Sequence, residues 1–133
     1  MKKVFSLLLI ILPLMLLTVS CHEEEDPIVK TTPYSKYKGP WSGTYSGGDS
    51  GVIEFSVKDD GTITGTIESD KFPESDLSLK GKVTIEGNVN IRIMYIDEID
   101  FGGFTGIMTE SNASGTWINT GAGNITGTWT AAK

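Results

Sequence analysis

The chain has 133 residues, with 17 acidic and 11 basic side chains, a formal net charge of −6, one histidine and one cysteine. A surface of that sign repels phosphate backbones and anionic head groups, which argues against nucleic acid as a partner. A lone cysteine, Cys21, rules out an intrachain disulfide, so the fold must be held by its core.

Lys2 and Lys3 open the chain and precede an apolar run from Val4 to Leu17 that Pro13 interrupts. At about 14 residues the run is shorter than the roughly 18 to 20 that span a bilayer. A basic start, a short apolar stretch and small residues up to Ser20-Cys21 predict a signal peptide over 1–20; an uncleaved anchor is the alternative. The segment resembles the signal of bacterial lipoproteins. That resemblance implies that Cys21 is diacylated, becomes the new N-terminus and holds the protein to a membrane, since two or more acyl chains anchor stably. Glu23-Glu24-Glu25-Asp26 resembles the acidic export tract of surface lipoproteins in Bacteroides-like bacteria, which implies an outward-facing place on the outer membrane. A charge run is otherwise a solvated linker. Loss of Lys2 and Lys3 with the leader leaves 17 acids against 9 bases, so membrane contact is expected through lipid alone.

Residues 21–38 hold the acids, Pro27 and Pro33 with little to bury, and read as a flexible tether. All 16 glycines lie at or after Gly39, which marks a domain over 39–133. Apolar and polar residues alternate there with period two, most plainly in Leu77-Ser78-Leu79-Lys80-Gly81-Lys82-Val83-Thr84-Ile85-Glu86, as in strands with one wet face. Turn signals at Asp59-Asp60-Gly61, Glu86-Gly87-Asn88 and Ser111-Asn112 separate the runs. The pattern predicts strands near 41–46, 51–58, 62–69, 77–86, 88–96, 101–109, 113–120 and 123–131. The expected fold is all-β, an eight-stranded antiparallel up-and-down meander closed into a small barrel, because closure removes exposed edges. A two-sheet β-sandwich is the alternative.

A short echo, Ser42-Gly43-Thr44, Thr64-Gly65-Thr66, Ser114-Gly115-Thr116 and Thr126-Gly127-Thr128, puts a glycine on the inward face of several strands. Glycine weakens a strand unless curvature or a large facing ring requires it, so these are expected kink positions sharing the interior with Trp41, Trp117 and Trp129. The remaining expected interior is Tyr45, Ile53, Phe55, Ile63, Ile67, Leu79, Val83, Ile85, Ile91, Ile93, Tyr95, Phe104, Met108 and Ile125. Gly39-Pro40-Trp41 resembles the Gly-x-Trp signature that opens the first strand of lipocalins. Gly127-Thr128-Trp129 is similar to the close of avidin-like barrels. The resemblance implies a calycin-type barrel in which Trp41 plugs one end.

Strand parity separates two poles. The tether, the C-terminus and the turns at 59–61, 87–88 and 110–112 fall at one; the loops at 46–51, 69–76, 96–101 and 120–124 fall at the other. Binding residues concentrate on loops held by a rigid scaffold and at barrel mouths. The expected function is therefore a non-catalytic binding module on the outer membrane, recognising an unidentified small molecule, glycan or protein. The alternative is an inhibitor or accessory subunit, like the small barrel lipoproteins that block lysozymes or proteases, with loop 69–76 as a plug. A hollow barrel would bind its ligand through Tyr95, Phe104 and Trp117. Loop recognition would use Asp49, Asp70, Lys71, Phe72, Asp76, Asp97 and Asp100. Asp97, Glu98 and Asp100 form the densest carboxylate group for a hard cation, but without EF-hand spacing, and neither metal nor cofactor is expected. His22 and Cys21 both lie outside the domain, which leaves no Ser–His or Cys–His pair for catalysis.

Overall fold

A computed structural model describes residues 31–133. The leader, Cys21 and the acidic run lie outside the described residues. Eight strands follow in order: β1 Gly39–Gly47, β2 Gly51–Val57, β3 Thr62–Ser69, β4 Leu77–Val83, β5 Asn88–Tyr95, β6 Ile99–Met108, β7 Asn112–Asn119 and β8 Ile125–Ala132. Each pairs antiparallel with the next, and β8 returns to β1 with Ser42 opposite Ala132 and Gly47 opposite Gly127. The meander is a closed barrel; the sandwich alternative is excluded.

Closure on so narrow a cylinder crowds the inward face, and the chain answers by pairing large residues with glycine. Trp117 stands opposite Gly127, Trp129 opposite Gly115, Phe55 opposite Gly65 and Ile91 opposite Gly81. At Gly127 an added Cβ would collide with the Ser46 carbonyl and lie 2.7 Å from the Trp117 indole nitrogen. Of the expected glycines, Gly65, Gly115 and Gly127 face large rings, whereas Gly43 stands between Ile53 and Ala131.

The space that glycine releases is filled. Tyr45 meets Trp117 edge-on at 5.1 Å between ring centroids and Phe104 at 5.7 Å; Phe104 meets Trp129 at 5.9 Å. Such edge-to-face pairs suit the ring quadrupoles. Each indole N–H donates to a backbone carbonyl: Trp41 to Tyr37 at 2.8 Å, Trp117 to Ser46 at 3.0 Å, Trp129 to Thr105 at 3.1 Å. Burying these rings therefore strands no donor.

Three features depart from expectation. The β4 strand ends at Val83, because Thr84–Gly87 forms a turn, with Gly87 at φ 94° and its N–H bonded to the Thr84 carbonyl. Ile85 rides on that turn and is 50% exposed, so it is not an interior residue. Tyr95 and Ile125 are only half-buried, packed at the edge of the core. Finally, the stretch read as tether folds from Thr32 onward. Tyr37 is buried, its hydroxyl donates to the Ile85 carbonyl at 3.1 Å, and the Thr32 hydroxyl donates to the Asp59 carbonyl at 2.7 Å. The Tyr34 ring packs where a side chain on Gly61 would sit. This segment stops one pole of the barrel as a plug, and the aromatic pair Tyr34 and Tyr37 supplies its apolar surface.

Phe104→Ala should cost about 3–5 kcal/mol, the range for emptying a buried ring site. Ile107→Ala, on the wet face of the same strand, should stay within about 0.5 kcal/mol. Urea denaturation of the two variants checks the contrast.

Candidate functional site

The plug, Lys133 and the turns at 58–61, 84–87 and 109–111 occupy one pole: Lys133 N–H bonds the Ser111 carbonyl and its Nζ the Lys36 carbonyl. The connections at 48–50, 70–76, 96–98 and 120–124 occupy the other. The chain approaches from the plugged pole, so these connections form the far rim.

That rim is built around one buried carboxylate. Asp49 is 8% exposed; its Oδ2 accepts from the Ser69 hydroxyl at 2.6 Å and the Tyr45 hydroxyl at 3.1 Å. Its Oδ1 accepts from the Ser50 N–H at 2.8 Å and the Lys71 N–H at 3.2 Å. Burial pushes the Tyr45 phenol well above the ordinary tyrosine range, which keeps it a neutral donor. Asp49 thus ties the β1–β2 connection to the root of the 70–76 loop. Further ties are the Asp70 N–H to the Ser50 carbonyl at 2.8 Å, the Ser50 hydroxyl to Asp70 at 2.7 Å, and the Phe72 N–H to the Ser69 hydroxyl at 2.9 Å. The loop is pinned at its base and holds Phe72 outward, 38% exposed.

Expected recognition residues are divided by this geometry. Asp49 is structural. Asp70, Lys71, Phe72 and Asp76 lie on or beside the pinned loop and are exposed. Asp97 and Asp100 are exposed but locally engaged. Asp97 accepts from Ser78 at 2.6 Å and pairs with Lys80 at 3.4 Å, and these contacts, the hydroxyl first, hold its carboxyl below the usual aspartate value. By linkage they favour the folded state above the ordinary carboxylate range and fade as pH falls below it. Asp100 pairs with Arg92 and accepts from the Gly102 N–H at 2.8 Å. Among the described residues no three acidic, histidine or cysteine side chains converge as metal ligands.

The expected interior trio is not brought to one cavity. Phe104 and Trp117 are buried against each other and their neighbours. Tyr95 lies apart at the rim, stacked on Phe101 with centroids 5.2 Å apart and planes 4° from parallel. The stack follows from an irregularity between β5 and β6: Arg92 faces Gly103 but Met94 faces Asp100, so Phe101 and Gly102 together oppose Ile93 while staying bonded to β7 on the other side, Gly102 at φ 108°. A bulge of this kind re-aims a side chain. Beyond it the turn at 96–98 is tight, not the long loop expected over 96–101. Ile96 and Asp97 take φ of 51° and 59°, and Glu98 N–H bonds the Tyr95 carbonyl at 3.2 Å. A β-branched residue in the left-handed region carries real strain.

Sequence reasoning missed Phe101, Ser69 and Asn119. A signal existed for the last two: inward parity continues from Ile67 to Ser69 in β3 and from Trp117 to Asn119 in β7, and both are buried. Polar residues at inward parity mark the mouth, where the apolar core gives way to a hydrogen-bonded rim. Comparison with protein families, curated proteins and solved structures finds no match for this chain.

Asp49→Ala strands the Ser69 hydroxyl and leaves the Tyr45 hydroxyl only the Glu68 carbonyl at 3.5 Å, and should cost about 1–3 kcal/mol at the usual penalty for a buried unpaired donor. Hydrogen exchange at the Lys71 and Phe72 amides should quicken in the same variant, while the 58–61 turn at the opposite pole keeps its protection.

Proposed function

We propose that the protein is a lipid-anchored, outward-facing lipoprotein of the outer membrane whose barrel presents a recognition rim to a macromolecule. The observation that carries this reading is the division of the barrel into a plugged pole, where the chain arrives, and an opposite pole bearing the pinned 70–76 loop with Phe72 exposed. The leader ending at Cys21 and the acids after it supply the anchor and the outward address, on their resemblance to lipoprotein signals. The Gly-x-Trp resemblance to lipocalins is in keeping with Trp41 buried near the plug.

A macromolecular partner is favoured over a ligand held inside the barrel, because contacting rings of Tyr45, Phe104, Trp117 and Trp129 occupy the centre. The plug-type inhibitor or accessory subunit is the form of this reading that the rigid loop favours: a preorganised loop loses little entropy on binding. The domain offers no histidine or cysteine for nucleophilic or acid–base work, so catalysis is not part of the proposal.

Cys21→Ala should move the protein from the membrane fraction to the soluble fraction; unchanged retention contradicts the anchor. Affinity capture from cell-envelope extracts, with the full-length protein as bait, should recover partners that Phe72→Ala no longer holds. Capture by Phe72→Ala equal to wild type contradicts recognition at the rim.

A further inference from the structure

The rim holds a recess between the 70–76 and 120–124 connections, of about 110 Å³, bounded by Phe72, Ser75 and Leu77 on one side and by Phe101, Asn119, Gly121 and Ala122 on the other. That is the room of roughly three to four waters, enough for a single side chain. Phe72, Leu77, Phe101 and Ala122 give its walls a mainly apolar character, with Ser75 and Asn119 as the polar side chains. Gly121 is needed there, because a Cβ would lie 2.7 Å from the Phe101 ring.

Its one buried polar side chain is Asn119, 7% exposed. Oδ1 accepts the Ala122 N–H at 3.1 Å, which fixes the orientation of the amide and leaves Nδ2 as the donor. No protein acceptor takes that donor within the described hydrogen bonds of Asn119. Every fully enclosed side-chain nitrogen and oxygen among the described residues has a partner, so Nδ2 keeps some accessible surface, on a side chain that lines the recess. An accessible amide donor on an otherwise buried side chain, lining a mainly apolar slot, selects an occupant with a ring or short apolar body and an oxygen acceptor at its tip.

Charge around the opening selects what carries that occupant. Glu74, Asp76 and Glu98 are exposed on the surrounding connections and take part in none of the ion pairs among the described residues, whereas Asp97 and Asp100 do. Lys71 is the lone lysine of the 70–76 loop, and its Nζ lies 3.4 Å from the Gly48 carbonyl. Phe72 beside the slot, with Ile96 and Ile99 exposed across the rim, adds apolar contact area.

We propose that this recess receives one tyrosine side chain from a lysine- or arginine-rich segment of a partner protein. The phenol oxygen accepts from Asn119 Nδ2, the ring packs on Phe72 and Phe101, and the flanking cations face Glu74, Asp76 and Glu98. This rests on the rim being the recognition surface and goes further by naming the chemistry of the partner.

The test uses three synthetic peptides, Lys-Lys-Gly-Tyr-Gly-Lys-Lys, its Tyr-to-Ser counterpart, and the counterpart with every Lys replaced by Glu. Each is titrated into the full-length protein in neutral detergent and followed by NMR. The first peptide should shift the Asn119 side-chain amide and the Gly121 and Ala122 amides saturably, and bind more weakly as salt is raised. The other two peptides should bind at least about tenfold more weakly, as should the first peptide to Phe72→Ala, an exposed change that spares the core. Glu74→Gln with Glu98→Gln should flatten the salt dependence. Equal binding of all three peptides, shifts confined to other surfaces, or undiminished binding to Phe72→Ala overturns the inference. A cellular partner captured through Phe72 but contacting the rim with a neutral or acidic segment would defeat this inference and leave rim recognition standing. Partners captured equally well by Phe72→Ala would defeat both.

Discussion

The pairing of β1 with β8 is the constraint from which the other features follow. Eight strands joined by short antiparallel connections have one buried face, and closing the sheet removes both edges while placing that face inside. Closure also fixes which connections share a pole, because an up-and-down chain reverses at alternate ends. The plug, the C-terminus and three turns are thereby forced together, and the Asp49 clamp, the pinned loop and the Tyr95–Phe101 stack are forced to the other end. Neither pole would exist as a unit in an open sheet.

The same closure explains the composition of the interior. A narrow cylinder cannot hold large residues at every inward position, so Trp117 and Trp129 each stand opposite glycine and each send an indole N–H past that glycine's strand to a carbonyl two strands away, Ser46 in β1 and Thr105 in β6. Native packing density is reached by alternating size rather than by uniform medium-sized residues. Toward the far rim the inward positions turn polar: Ser69 and Asn119 replace isoleucine and tryptophan two residues earlier on their strands. Asp49 then fills the end of the barrel with acceptors, and its hydrogen bonds hold the loop that displays Phe72. The rim is therefore shaped largely by groups that are themselves hydrogen-bonded, Asp49 through four contacts and Asn119 through its Oδ1.

Strand existence, order and closure were legible because period-two alternation and turn residues are strong local signals. Trp41, Phe104 and Trp117 could be placed inside from parity alone. Ile85 could not: it obeys the alternation of β4, but Gly87 at positive φ turns the chain before that position is reached. Tyr34 and Tyr37 were hidden in a stretch whose prolines, threonines and lysines look like linker, since a plug needs only one or two rings and gives no periodic signal. The rim was legible as a place and not as an arrangement. Carboxylates could be assigned to its loops, yet whether Asp49 is buried or Asp97 paired depends on Ser69, Ser78 and Lys80 from strands far away in sequence. The bulge that turns Phe101 onto Tyr95 is likewise invisible to a reading that counts alternation.

Backbone hydrogen exchange along β1 and β8 tests the central claim most directly. In a closed barrel the amides of both strands are protected on both sides from Ser42 to Gly47 and from Gly127 to Ala132, with rates like those of β3 and β4. If the sheet is open, alternate amides of β1 and β8 exchange as fast as the connecting loops, and the division into two poles is contradicted.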